Sequence, residues 1–332
     1  MRDTLKKSRK LRGVSVAGIL SLCGVLIGSC TTFPKRTASW PELATRMTGT
    51  GKEVTVPMVE IGTGPLGTVP YVGVKAEYGG RPLLLQVDTG SSLTLLRESL
   101  RTGLSARPVS HAEVLGATGS LAEQSLYRTS ALSIGDLKLK NEIVAFLPDA
   151  QIDALGRKEY KEQLDGVLGA SLLHRGEVEF NTIQKTLTVR PFDEAQVQNL
   201  PIRIAMVWIS DLNGFAIPLE VGSDRSVRFQ LDTGTNAEII FDSGGTYGQR
   251  IEASTSIGTA ECRTFRGTYQ VKAYWLPFPV TIAGRRSEPG TRVYVESRDD
   301  HRHAGSVGMP LIWANKRVIL NAHQQTAAFE PK

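Results

Sequence analysis

Cysteine is scarce in this chain: three residues in 332, Cys23, Cys30 and Cys262, never closer than seven positions apart. That spacing excludes a dense disulfide framework and the close cysteine pairs of structural zinc sites. Histidine is equally sparse, with five residues. Its one tight pair, His301 and His303, sits in the charged run SRDDHRH, which reads as an exposed loop, so no metal and no cofactor are expected. Aromatic residues make up only 7%. Charge of one sign is also missing from most of the chain. The formal net charge is +6. Arg2, Lys6, Lys7, Arg9, Lys10 and Arg12 against Asp3 supply +5 of it, which leaves +1 for everything after residue 12. A basic nucleic-acid surface is therefore not expected, and no nucleic-acid partner. Outside residues 14–30 there is no long apolar run, and that one is short for a membrane span. What the chain has in quantity is glycine, 33 residues, which suits strands joined by tight turns.

The basic stretch and the apolar run VSVAGILSLCGVLIGSC together read as a secretory signal. Ile27-Gly28-Ser29-Cys30 resembles a bacterial lipobox, in which the cysteine becomes the first mature residue and carries acyl chains such as palmitate. The resemblance implies a signal peptide at 1–29 and a lipidated tether at 30–50 that is rich in Thr, Ser, Pro and Lys. Acyl chains would hold an otherwise soluble body on the membrane. Thr31 after the cysteine, in place of Asp, favours an outer-membrane lipoprotein facing the periplasm over retention at the inner membrane. Cys262 is then the only thiol of the mature body, and an exported body with one thiol relies on its core rather than on disulfides.

Beyond residue 50 a pattern is written twice. TVPYVGVKAEYGGRPLLLQVDTGSSLTLL, residues 68–96, is an alternating strand, a turn at Gly79-Gly80, an apolar strand, Asp-Thr-Gly and another apolar stretch. GFAIPLEVGSDRSVRFQLDTGTNAEIIF, residues 214–241, repeats that order with its turn at 222–224. Each copy later reaches an apolar-Gly element, DGVLGASLL at 165–173 and GSVGMPLIW at 305–313. A terminal strand pair follows each. Asp88 to Gly169 is 81 positions and Asp232 to Gly308 is 76. Matched spacing of this kind points to an internal duplication, with lobes at 51–195 and 196–332. Short helices are expected at 97–104 and 159–164, and the rest reads as β.

A lone Asp-Thr-Gly is weak, because Asp before Gly is common in turns. Two copies, each after an apolar strand and each with an apolar-Gly partner, carry chemistry. Two carboxylates held close together cannot both ionise cheaply, so they share a proton. One can then act as general base toward a water while the other donates a proton toward a carbonyl oxygen. Such a pair titrates as a unit, so the two roles stay unassigned. Gly90 and Gly234 let the backbone approach the carboxylates. The nearby amides and the hydroxyls of Ser91 and Thr235 are candidates to hold them. Asp242-Ser243-Gly244 has no apolar-Gly partner and reads as a turn.

Leu85-Gln86-Val87-Asp88-Thr89-Gly90-Ser91 with Val167-Leu168-Gly169, and Phe229-Gln230-Leu231-Asp232-Thr233-Gly234-Thr235 with Ser306-Val307-Gly308, resemble the aspartic peptidases, pepsin-like and retropepsin-like. Ser306 departs from the pattern, standing where an apolar residue is usual. The resemblance implies a mostly β, bilobal acid-protease-like fold of two retropepsin-like β-barrel lobes with an active-site cleft between them. It implies catalysis by Asp88 and Asp232, and loops cross-linked by Thr89 and Thr233. It also implies a β-hairpin flap. The candidates are 112–123 with Gly116 and Gly119, and 254–267 with Gly258 at its tip. The flap tyrosine of pepsin has no match here, since Tyr127 falls in the following strand. The expected function is an aspartic endopeptidase, a self-sufficient monomer acting on a polypeptide in extended conformation. The alternative is a non-catalytic peptide-binding or scaffolding envelope lipoprotein that uses the same cleft.

Overall fold

The computed structural model describes residues 51–101, 106–115, 121–156, 163–209, 214–264, 267–297 and 304–332. The leader and tether, Gly116, Gly119 and the His301/His303 run lie outside the described residues. Among the described residues no helix is long and apolar enough to cross a membrane.

Turn chemistry sets the first hairpin. Strand Pro70–Tyr78 pairs antiparallel with Arg81–Val87 up to the Tyr78–Arg81 pair. Gly79 and Gly80 between them have φ of 59° and 85°. A two-residue type I′ turn needs positive φ at both positions, and glycine adopts it without a steric penalty. In the second half Gly214–Val221 pairs with Asp224–Leu231 around Gly222-Ser223.

The strands around each Asp-Thr-Gly loop pair in the same way. Gly166–Leu168 runs parallel to Arg81–Val87 and antiparallel to Thr94–Arg97, which in turn lies parallel to Glu142–Leu147. Gly305–Val307 runs parallel to Asp224–Leu231 and antiparallel to Ile239–Asp242, which lies parallel to Arg292–Glu296. In both cases the short apolar-Gly strand slots between the strand that enters the loop and the strand that leaves it. Both ends of each loop are thereby pinned by backbone hydrogen bonds. The mostly β, two-lobed architecture expected from the sequence is the one observed.

Strand pairing crosses the 195/196 boundary. Six strands form one antiparallel platform in the order Ile202–Ala205, Thr326–Pro331, Asn315–Asn321, Glu177–Asn181, Thr186–Arg190 and Val54–Thr63. The terminal strand pair of each half is therefore not confined to its own lobe. The two pairs meet at Val178–Leu320 and Phe180–Val318. Phe180, Leu187, Val318, Leu320 and Phe329 are fully buried there, and each such side chain contributes about 1.5–3 kcal/mol of transfer free energy. Charge is buried with them. Arg190 contacts Glu53, Glu177 and Glu179, and Arg317 grips Glu179 through Nε and Nη2 at 2.9 and 3.0 Å. Burial pushes the Glu179 carboxyl up, but hydrogen bonds from Arg317 and Arg190 outweigh it and hold the pKa below its ordinary value. That stabilisation is present above the ordinary glutamate range and is lost only as pH falls through the depressed value.

The helices differ from expectation. Of 97–104, only Glu98–Leu100 forms a single 3-10 turn. Of 159–164, the described residues 163 and 164 are irregular. Helices form instead at Asp149–Gly156 and Thr246–Glu252. Asp149 stands in the first turn of its helix, where a negative charge suits the helix dipole, and it accepts the Ser99 N–H at 3.0 Å. Asp242 ends strand Ile239–Asp242 fully buried, and the turn after it leads into Thr246–Glu252.

Candidate active site

Each catalytic-loop candidate is fixed at its root by a backbone bond to the apolar-Gly strand. Asp88 N–H donates to Leu168 O at 3.0 Å, and Asp232 N–H donates to Val307 O at 2.9 Å. The residue after the glycine that follows each of these strands locks the far side. Ala170 N–H reaches Ser91 O at 2.7 Å, and Met309 N–H reaches Thr235 O at 2.8 Å. A Cβ on Gly169 or Gly308 would collide with carbonyls of the loop it supports.

The loops are cross-linked by two threonines, reciprocally. Thr89 N–H donates to Thr233 Oγ1 at 2.9 Å, and Thr233 N–H donates to Thr89 Oγ1 at 3.1 Å. Each hydroxyl then donates across the junction, Thr89 to Leu231 O at 2.7 Å and Thr233 to Val87 O at 2.9 Å. Both side chains are buried, so their hydroxyls are fully used where an unmet one would be costly.

This arrangement brings the two carboxylates together. The Asp88 and Asp232 carboxyls lie close enough to interact with each other. Each glycine backs the opposite acid: a Cβ on Gly90 would strike the Asp232 carboxylate, and one on Gly234 would strike that of Asp88. Backbone amides orient the acids. Gly90 and Ser91 N–H donate to Asp88 Oδ1 at 2.9 and 3.2 Å, and Gly234 N–H donates to Asp232 Oδ1 at 2.9 Å. Burial raises the Asp88 pKa, although its interaction with Asp232 and the hydrogen bonds from the amides of Gly90, Ser91 and Gly234 pull the other way. Chemically, such a pair can hold one proton between two acids and present both a base and an acid to a substrate.

The hydroxyls expected to help serve elsewhere. Ser91 Oγ donates to Leu93 O at 2.8 Å, and Thr235 Oγ1 accepts the Ala237 N–H at 3.3 Å. Amides already hold Oδ1 of each carboxylate, and these side chains brace their own loops. Gln230, two residues before Asp232, also reaches across. Its Nε2 donates to Gly90 O at 3.3 Å across the junction. Gln86 stands at the matching position before Asp88, and that repetition was the available signal.

The hairpin expected after the first loop forms from Arg107–Leu115 and Leu121–Thr129, in register to the Leu115–Leu121 pair; its tip, with Gly116 and Gly119, lies outside the described residues. Tyr127 sits in its second strand and accepts a hydrogen bond from Arg101 at 2.8 Å. The second hairpin forms from Gly258–Thr264 and Gly267–Trp275. Gly258 is not its tip: it opens the first strand, paired with Ala273, and Thr264 pairs with Gly267 at the other end. Turn composition marked a glycine where register places the base. Among the described residues no cluster of His, Cys, Asp and Glu is arranged to hold a metal ion.

A family model described as aspartyl protease matches residues 74–172, the part of the chain around Asp88 and its apolar-Gly strand. Among solved structures, the aspartic proteinase from Irpex lacteus is 15% identical over 84% of this chain and 97% of that one, with a TM-score of 0.47. Basic 7S globulin from soybean is 10% identical over 84% and 94%, with a TM-score of 0.49. No curated protein matches the sequence. The family match and the strand pairing give an aspartic-protease-like fold.

Proposed function

We propose that this protein is an aspartic endopeptidase that hydrolyses peptide bonds with a water activated by the Asp88/Asp232 pair. The observation that carries the reading is the placement of the two acids, each carboxylate seated against the glycine of the opposite loop across the threonine cross-link, with Asp88 raised by burial. A shared proton lets one carboxyl act as base toward water while the other protonates the carbonyl oxygen. Among the described residues, Arg107–Leu115 and Gly258–Thr264 each stand at one end of a sheet's strand order, belong to a hairpin and have no strand paired on the outer side. An extended polypeptide bound as an added strand would use such edges for its backbone hydrogen bonds. The body, with lobes 51–195 and 196–332, acts as a monomer tethered through acylated Cys30 to the periplasmic face of the bacterial outer membrane.

The test is hydrolysis of an unfolded polypeptide over roughly pH 3 to 8 by the wild type and by the D88N/D232N pair. Turnover lost in the variant with folding intact supports the reading, and equal turnover by both sinks it. Incorporation of labelled palmitate, abolished by Cys30→Ala, tests the anchor separately.

A further inference from the structure

The segment between strands Val54–Thr63 and Pro70–Tyr78 reads GPLGTV, and no strand or helix pattern marks it out. In the structure it wraps around one side chain of the opposite lobe. Asn236, four residues after Asp232, is fully buried. Its Nδ2 donates to Gly64 O at 2.8 Å and to Gly67 O at 3.0 Å. Its Oδ1 accepts the Leu66 N–H and the Tyr71 hydroxyl, each at 3.3 Å. Two donors and two acceptor sites are all that a carboxamide has, and all four are met. The pattern also fixes which way the amide faces, since carbonyls lie on one side and donors on the other. Aspartate would turn two donors into repulsive contacts with carbonyls, and serine has neither the reach nor the number. The loop is shaped to this residue: a Cβ at Gly64 would meet the Tyr71 hydroxyl and Asn236 Oδ1, and one at Gly67 would strike the Asn236 carbonyl.

The loop carries a plug. Leu66 leaves its own lobe and is buried in a small apolar cluster of the other, with Ala237, Ile240, Cys262, Val271, Ala273 and Tyr294. Cys262, Val271 and Ala273 belong to the hairpin Gly258–Thr264/Gly267–Trp275. The same hairpin packs against helix Asp149–Gly156 of the first lobe. A second anchor closes the loop's far end, where Trp313 Nε1–H donates to Pro70 O at 2.7 Å. One short segment thus ties together the Asp232 loop, the second hairpin and the first lobe.

We propose that Asn236 and the 64–67 loop form an interlobe latch, with Asn236 as a positioning residue, which seats the second hairpin through Leu66 and so governs how the polypeptide substrate is held rather than the bond-breaking step. The substrate half of this inference rests on the endopeptidase reading, while the latch itself does not. Cys262 reports on it, because the thiol is buried under Leu66 and is reached when the latch opens locally.

The experiment uses the full chain with Cys23→Ser and Cys30→Ser, so that Cys262 is the single thiol, and follows its labelling by an aromatic disulfide reagent. Asn236→Ala and Leu66→Ala should label about tenfold faster or more than the parent, the scale expected when buried hydrogen bonds or apolar contacts that close a local unit are removed. Val178→Ala, a cavity in the platform, serves as the control for general destabilisation and should label at the parent rate. In turnover, Asn236→Ala should raise KM about tenfold and leave kcat within about threefold, since binding geometry changes and the acid pair does not. Labelling of both latch variants no faster than the platform control overturns the proposal. So does a fall in kcat with KM unchanged. If Asn236→Ala does not fold, Leu66→Ala decides by the same comparison. If the parent shows no hydrolysis at all, the endopeptidase reading fails alone, and labelling still decides the latch.

Discussion

The two Asp-Thr-Gly loops carry closely matching backbone hydrogen bonds and threonine contacts, yet what stands behind them differs. Behind Asp88 the support is a buried ion pair with a polar network. Glu142 is fully buried and pairs with Arg175, itself almost wholly enclosed. Thr94 and Ser171 donate to Glu142 at 2.9 and 2.6 Å, and Arg175 also reaches Lys140 O at 2.6 Å. Behind Asp232 there are two buried acids in register, Asp242 and Glu296. Tyr269 donates to Glu296 at 3.0 Å and Gly244 N–H to Asp242 at 3.2 Å. The difference separates two kinds of constraint. Donor geometry around a carboxylate pair admits few solutions, so both loops converge on it. The packing behind them needs only to be filled and satisfied, so it is free to diverge.

The largest expected effect tests the part that matches. If the pair shares a proton, neither acid is dispensable, and Asp88→Asn and Asp232→Asn should each lower kcat by on the order of 10²–10⁴-fold. A loss confined to one of them would break the equivalence of the loops. The same variants carry a stability signature. Asp88 has a raised pKa, so its contribution to stability is fully present below the ordinary aspartate value and is lost as pH rises through the raised one. Asp88→Asn should therefore gain in melting temperature relative to the parent at pH 7 and lose that advantage in acid, as read by thermal melts across pH.

The next effect tests the part that differs. Glu142→Ala leaves Arg175 as a buried charge without its carboxylate. It should cost about 3–5 kcal/mol, seen as a lower urea midpoint. A loss under 1 kcal/mol would mean that the charge is neutralised by other means and that the first lobe does not depend on this pair.

Sequence legibility follows the same division. The four blocks around Asp88, Gly169, Asp232 and Gly308 were readable because their chemistry is local, with acid, threonine and glycine at fixed offsets after an apolar strand. Gly79-Gly80 was readable because a turn restricts residue type. The shared platform was not, because alternation in 177–190 and 316–330 reveals which face of a strand is apolar and not which strand lies beside it. Arg175 and Glu142 lie 33 positions apart in segments that read as ordinary strand and turn. Asn236 sits in plain view inside the second motif, but three of its four partners come from a loop some 170 positions earlier and the fourth, Tyr71, from the strand that follows it. The helix at Asp149–Gly156 is hard to read because eight residues give too few turns for a clear periodicity.

The threonine cross-link gives a smaller effect with a demand for symmetry. Thr89→Val and Thr233→Val each remove one hydroxyl that accepts one bond and donates another across the junction. Each should cost about 1–3 kcal/mol in chemical denaturation, because the partner N–H or carbonyl is left buried and unmet. Equal losses support equivalent loops. A loss at one position only would show that one lobe carries the junction.

The smallest effect concerns the strand beside Asp232. Ser306 and Val167 follow the first glycine of their respective apolar-Gly strands, and both are buried. Among the described residues the Ser306 hydroxyl has no hydrogen-bond partner, whereas the Val167 side chain has no polar atom to satisfy. An unmet buried hydroxyl costs free energy that a methyl group does not. Ser306→Ala should therefore stabilise the protein by about 1 kcal/mol, seen as a higher urea midpoint at unchanged slope. The reverse exchange in the first lobe, Val167→Ser, should destabilise by at least as much, since it adds an unmet hydroxyl and removes two methyl groups from a packed site. If Ser306→Ala instead destabilises, the hydroxyl is being used, and its departure from the apolar pattern is a feature of the Asp232 site rather than a tolerated imperfection.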